Sequence, residues 1–173
     1  SEDKELTFTP SFNYGGGVDS SQRFLFDYNQ MVSGGNLNFD LSVDTNLENQ
    51  NNNKWISEAS LITNYNNNIN EHFQVNLDSA LQTSKYYIQT TNPYDEISYK
   101  SSLSTSLTLT GYDLNKYDDK LLINTTTYQV TQQNEDNKKI PTVLPFISYF
   151  SGDNSYMDYN YNHTINLYNI FRD

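Results

Sequence analysis

Chemistry at a protein site needs donors, acceptors or nucleophiles gathered in one place, and this chain offers few sets of them. Its two histidines, His72 and His163, lie in strand-like stretches, far from any Ser and Asp spaced as a nucleophile and its orienting acid. They read as ordinary strand residues. The run from Asp113 to Asp119 supplies oxygens on Asp113, Asn115, Asp118 and Asp119, the hard ligands that calcium takes. It lacks the glycine at the sixth position and the closing glutamate of the calcium loop, and reads as a solvated turn. Gly15, Gly16 and Gly17 are not followed by the Lys-Ser/Thr pair or helix of a phosphate cradle, and read as a flexible connection. Asn124-Thr125-Thr126 and Asn162-His163-Thr164 match glycosylation acceptors, but both fall inside predicted strands, where a glycan is awkward. Cysteine is absent, so neither a thiolate metal centre nor a disulfide framework forms. No catalytic residue, metal or cofactor is expected, and no enzyme.

The composition says what the residues are for instead. Only 35% are hydrophobic and the mean hydropathy is -0.76, too little for a thick, dry core. Yet 14% are aromatic, with 15 Tyr and 9 Phe, too many for a disordered chain. A barrel wall reconciles the two, because each strand needs an apolar residue only at every second position, toward lipid, while the other face meets a wet lumen. Tyrosine suits the boundary, its ring apolar and its hydroxyl wet. The formal charge of -11 has the wrong sign for nucleic acid or anionic membrane surfaces. No apolar run approaches the roughly 20 residues of a spanning helix, whereas spanning strands need only about 9–11. No charged-then-apolar signal stands at the N-terminus. The chain opens on Ser1 and stops at Asp173, as a piece of a longer wall would.

The elements follow from alternation. Leu37, Phe39, Leu41 and Val43 share one face against Asn38, Asp40, Ser42 and Asp44 on the other, period two without an error. The segment Arg23 to Met31 precedes it across a tight turn at Ser33, Gly34 and Gly35, making a hairpin. Phe73, Val75, Leu77 and Leu81 alternate with Gln74, Asn76, Asp78 and Gln82. Ile97, Tyr99, Leu103, Leu107 and Leu109 oppose Lys100 and small hydroxyl residues, and Met157 to Leu167 sets Asn160 and Asn162 against an apolar face, long enough to span a bilayer. Weaker alternation marks Leu6–Tyr14, Trp55–Tyr65, Leu121–Val130 and Val143–Phe150. The sum is about nine strands and no helix: an all-β antiparallel meander over 1–173, part of a large transmembrane outer-membrane β-barrel. Turns are expected at Asn67–Asn70 and Gly152–Asn154, with longer polar connections, including the Asn51–Asn53 cluster, at Asn46–Lys54, Ser84–Glu96 and Thr131–Lys139. Pro10 interrupts a strand and cannot donate a ladder bond, so it marks an edge or a bulge and weakens pairing locally. Pro141 and Pro145 mark a strand start and a bulge near a rim.

In this order the motifs resemble the barrel of the lipopolysaccharide-assembly family, LptD or organic solvent tolerance proteins. Lys138 to Tyr149, KKIPTVLPFISY, is similar to the family's proline, apolar pair, Leu-Pro and aromatic-ended strand. Glu5 to Tyr14 resembles an early barrel strand with a Thr-Pro step, and Leu81 to Asp95 a loop-and-strand region in which Lys85 stands where Asp is common. The resemblance implies an early portion of a bacterial outer-membrane translocation barrel, without the periplasmic jellyroll, the remaining strands or the family's cysteines. It further implies that the barrel inserts lipopolysaccharide into the outer leaflet, with outer-membrane lipids, an LptE-like lipoprotein plug and periplasmic bridge proteins as partners. Pro10 is the matching position for the prolines that ease opening of a lateral gate. On this reading Asn38, Asp40, Ser42, Asp44, Asn160 and Asn162 face the lumen. The alternatives are another outer-membrane pore or adhesin barrel, and a soluble cell-surface β-sandwich that binds a ligand.

Overall fold

The computed structural model describes residues 3–14, 21–48, 54–115, 118–131, 136–140 and 142–171. The Gly15–Gly17 connection, the Asn51–Asn53 cluster and Pro141 lie outside them. The chain folds up and down in sequence order into β1 (Lys4–Asn13), β2 (Ser21–Val32), β3 (Gly35–Glu48), β4 (Lys54–Asn68), β5 (Phe73–Gln82), β6 (Ser102–Tyr112), β7 (Lys120–Val130) and β8 (Thr142–Phe150). A small hairpin of β9 (Asn154–Tyr156) and β10 (Tyr159–Tyr161) intervenes before β11 (Thr164–Phe171) returns beside β8. The result is one nine-stranded antiparallel meander sheet, with β1 and β11 as its outer strands and no closure between them.

Period two becomes two faces because the register is unbroken from β1 to β7. Phe8, Phe26, Leu41 and Leu61 stand in one row, as Pro10, Phe24, Val43 and Ala59 do in the next. The apolar face continues through Leu77, Leu107 and Leu109, then Ile123, Ile147 and Leu167. Phe8 stacks on Phe26 with ring centroids 4.6 Å apart, one of the aromatic cross-strand pairs that favour a sheet. The opposite face is satisfied sideways. Asn64 donates to Asp78 at 2.9 Å, Asn66 bonds Asn76, and Asn124 donates to Ser106 at 2.9 Å and to Thr108 at 2.8 Å. Toward β11 the division blurs, since Phe146 and Tyr168 stack at 5.0 Å on the otherwise polar side.

Turn chemistry sets the strand ends. Val32 and Gly35 are the last pair of the β2–β3 hairpin, and Gly34 between them has φ +90, which a residue with a Cβ resists. A Cβ on Gly35 would lie 1.8 Å from the Asn66 carbonyl oxygen, so only glycine lets β4 come this close. Between β4 and β5 the Asn70 side chain accepts from the His72 and Phe73 N–H groups. Pro145 sits in a bulge, as expected: the β7–β8 register shifts between Asn124 and Thr126, and β8–β11 shifts at the same place.

Several expectations need correction. Met157 to Leu167 is not one strand: Met157 has φ 55 and turns the β9–β10 hairpin, so Asn160 lies in β10 and Asn162 between β10 and β11, neither in the wall strand. Ile97 and Tyr99 lie in a 3-10 turn, Glu96–Tyr99, and Tyr87–Thr91 forms a short helix, α1. Neither histidine is inside a strand; His72 precedes β5 and His163 precedes β11. Pro10 does not weaken the pairing of β1 with β2. The Met31 N–H donates to the Asp3 carbonyl at 3.0 Å, and antiparallel pairs alternate between bonded and non-bonded, so Pro10 opposite Phe24 is a non-bonded pair. Its missing donor belongs to the open outer edge.

The Asp113–Asp119 turn is not simply solvated, because Asp119 is buried. Its carboxylate accepts from the Asn115 N–H and side-chain amide at 3.0 Å each and from the Tyr149 hydroxyl at 3.0 Å. Burial opposes ionisation, but the Asn115 N–H, the Tyr149 hydroxyl and the Leu114 N–H outweigh it and hold the carboxyl below its usual value. A depressed acid adds stability that is complete above the unfolded value, about 3.9, and is lost as the pH falls through the lower folded one. Asp119→Asn should therefore lower the thermal midpoint of the folded chain at neutral pH, with the gap to wild type closing on acidification below pH ~4. A gap independent of pH would refute the role of the ionised carboxylate.

Candidate functional site

The wall and the segment 83–101 meet in one place, and the reason lies in β5. Its pairing with β6 ends at Ser79 opposite Thr105, while its pairing with β4 continues to Gln82 opposite Ser60. Where the two strands part, the Gln129 side chain fills in for a strand: its Oε1 accepts from the Gln82 N–H at 2.9 Å and its Nε2 donates to the Gln82 carbonyl at 2.6 Å. The buried Gln82 side chain turns the chain inward, its Nε2 donating to the Lys85 carbonyl at 2.8 Å and its Oε1 accepting from the Ile88 N–H at 3.0 Å. The segment then lies as a strap across the polar face.

Within the strap the backbone groups are met locally. Thr90 and Thr91 hydroxyls donate back to the Tyr87 carbonyl at 3.0 and 2.7 Å, Asp95 accepts from the Ile97 N–H at 3.0 Å, and the Ser98 hydroxyl donates to the Asn92 carbonyl. The underside is apolar. Tyr87 and Ile88, only 1% and 4% exposed, cluster with Ala80 and Leu103, with Ile62 and Ile97 packed against them. Ile62 and Ala80 are register partners, an apolar pair set into the polar side. Each buried side chain of this size contributes about 1.5–3 kcal/mol, so the strap is a packed element.

Three polar residues of β3, Asp40, Ser42 and Asp44, belong here, while Asn38 lines a separate recess beside Asp3 and Asn36. Arg23 lies opposite Asp44 and grips it in a fork, Nε to Oδ1 at 2.7 Å and Nη2 to Oδ2 at 2.8 Å. The Ser42 and Tyr87 hydroxyls share a bond of 2.7 Å. Asp40 faces Asp27 directly across the strands, and Asn38 stands further along the same face. A cavity of about 360 Å³ lies between strap and wall, with Asp27, Asp40, Ser60, Ile62, Ile88 and Asn92 among its lining. Pro10 and Asn160 are remote from it, one on the outer edge, the other on the protruding hairpin. Sequence reasoning missed Tyr87, Ile88, Gln82 and Arg23. The signal was the loss of alternation at Ile62 and Ala80, apolar residues at positions whose neighbours are Asn64, Asn66 and Asp78.

Among the described residues no group of His, Asp and Glu could hold a metal ion, and no helix is long and apolar enough to cross a membrane. No protein-family model matches the chain, and neither a curated protein nor a solved structure is similar to it.

Burial, with the Asp44 charge adding to it, raises the Tyr87 phenol above its ordinary value, although the Ser42 bond and Arg23 pull the other way. The stability this adds is complete below the unfolded value, about 10, and is lost as the pH rises through the folded one. Tyr87→Phe should cost the strap about 1 kcal/mol and Ile88→Ala about 2–5 kcal/mol, read as faster proteolysis between 83 and 101 with the strands unchanged. Ultraviolet titration of wild type minus Tyr87→Phe should show one phenol ionising late. A strap equally resistant in both variants would mean that these contacts do not hold it.

Proposed function

We propose that the chain is a wall segment of a bacterial outer-membrane translocation barrel, one that inserts lipopolysaccharide into the outer leaflet. The observation that carries the reading is the apolar face. It runs across all nine strands, and Leu6, Phe8, Phe12, Leu107, Ile165 and Leu167 on it are about half exposed or more. Soluble monomers rarely expose contiguous apolar patches of more than a few hundred Å², and among the described residues no second sheet or helix layer covers this one. A bilayer is the solvent such a face fits, and the short turns at Ser33–Gly34 and 69–72 lie on one rim, as periplasmic turns do. The further assignments, to lipopolysaccharide, a lipoprotein plug and a periplasmic bridge, rest on the resemblance carried by Lys138 to Tyr149 and Glu5 to Tyr14.

The gate reading gains a physical form. Pro10 removes one donor from the outer edge of β1, the edge a closing strand would pair with, and so lowers the cost of parting there without loosening β1 from β2.

Full-length protein should require detergent, resist carbonate extraction and shift on gels when heated. Partition into the aqueous phase without detergent and no heat shift would sink the barrel in favour of a soluble two-sheet module. In vesicle refolding, Leu41→Arg on the apolar face should cost about 2–4 kcal/mol, whereas Asn38→Arg on the polar face should cost little. Pro10→Thr restores the edge donor. Cells relying on that variant should admit a large antibiotic that wild type excludes, and an unchanged barrier would count against the gate role.

A further inference from the structure

The polar side of the sheet is blocked at one level, and the register says which. Leu25, Ser42, Ser60 and Gln82 form one row across β2 to β5. The strap leaves the wall at Gln82 and ties to this row through the Tyr87–Ser42 bond. β3 continues past the row to Glu48, about 20 Å further at roughly 3.4 Å per residue. The strap therefore crosses the polar face well below the rim. It is also packed rather than loose: Tyr87, Ile88 and Leu103 are among the most buried side chains described, whereas segments that open readily have few buried contacts. Space remains beside it in cavities of about 360 Å³ and about 400 Å³, at the small end of the range for small-molecule sites. Asp40, Asn92, Glu58 and Thr90 present hydrogen-bonding groups there.

We propose that the strap is a standing constriction, which makes the polar side of the closed wall a size-limited path for small hydrophilic solutes, an activity separate from glycolipid insertion. It rests on the barrel reading in one respect, that the polar face lines a lumen. Weak contacts from several side chains let a hydrated solute enter and leave, while the Tyr87–Ile88 anchor keeps the opening narrow.

The test is solute entry into proteoliposomes carrying the full-length chain, with a pentose and a tetrasaccharide as probes. Wild type should admit the pentose at least roughly ten-fold faster than the tetrasaccharide, since a constriction discriminates by diameter. Replacing 84–99 by a short Gly/Ser linker should bring the two rates within about two-fold of each other. The double variant Tyr87→Phe, Ile88→Asn keeps the chain length, guards against a deletion that fails to fold, and should give an intermediate ratio. Equal entry of both sugars into wild type, or a ratio unchanged in both inserted variants, overturns the constriction. Carbonate resistance is read on the same vesicles. A chain that inserts but passes neither sugar overturns the constriction alone, and a chain that does not insert overturns the barrel reading with it.

Discussion

The rest of the structure depends on strand register. With side chains alternating at period two, a slip of one residue in any pair would carry every Leu and Phe of that strand to the polar face. The chain holds register where it is most exposed to error, at the β2–β3–β4 corner. Gly34 takes a conformation closed to most residues, Gly35 admits the β4 backbone, and the Asn68 N–H donates to the Gly34 carbonyl at 2.9 Å. Three consecutive strands are thus aligned by two glycines. Cross-strand bonds on the polar side, Arg23 to Asp44 and Asn64 to Asp78, then penalise a slip further along.

A sheet built this way has its interior inverted. In a soluble protein the apolar face would be the driest surface, yet here its Leu and Phe residues are partly or largely exposed, and the two largest fully buried side chains described, Tyr87 and Leu103, belong to the small cluster at the strap. The small core under the strap contributes local order rather than the bulk of the stability, which on the barrel reading comes from lipid covering the other face. The same inversion explains the composition. A chain with 35% hydrophobic residues can form long paired strands when alternation, not a closed core, is what those residues serve.

The all-β class, the number of long strands and the β2–β3 hairpin were legible because perfect alternation over LNFDLSVDT has one structural solution. The strap was not legible. Its helix, Tyr87–Thr91, is too short for a period of 3.6 to show; the Thr90 and Thr91 hydroxyls bond back to it locally, but the Gln82 side chain that meets the Ile88 N–H is placed only by the folded sheet. Met157 to Leu167 misled for the opposite reason. Its alternation is real, but Met157 turns at positive φ and the same parity is shared between a hairpin and β11. Alternation reports which face a residue takes within a strand, and is silent on whether the strand is continuous.

Asp44 shows how the two halves of the molecule are joined. A carboxylate this buried is costly in a low-dielectric setting unless paired and hydrogen-bonded, and Arg23 meets it with a two-pronged grip that fixes geometry as well as charge. Arg23 in turn stands beside both cavities. The pair is placed one strand row from each end of the problem: it pins β2 to β3, and it neutralises the wall where the strap's Tyr87 comes down beside Ser42. An unpaired Asp44 would repel Glu58, which lies opposite it on β4, and leave the Tyr87 phenol next to a bare charge. The arginine therefore lets an otherwise acidic face accept an aromatic strap, and the seating of the strap and the register of the wall become one interaction.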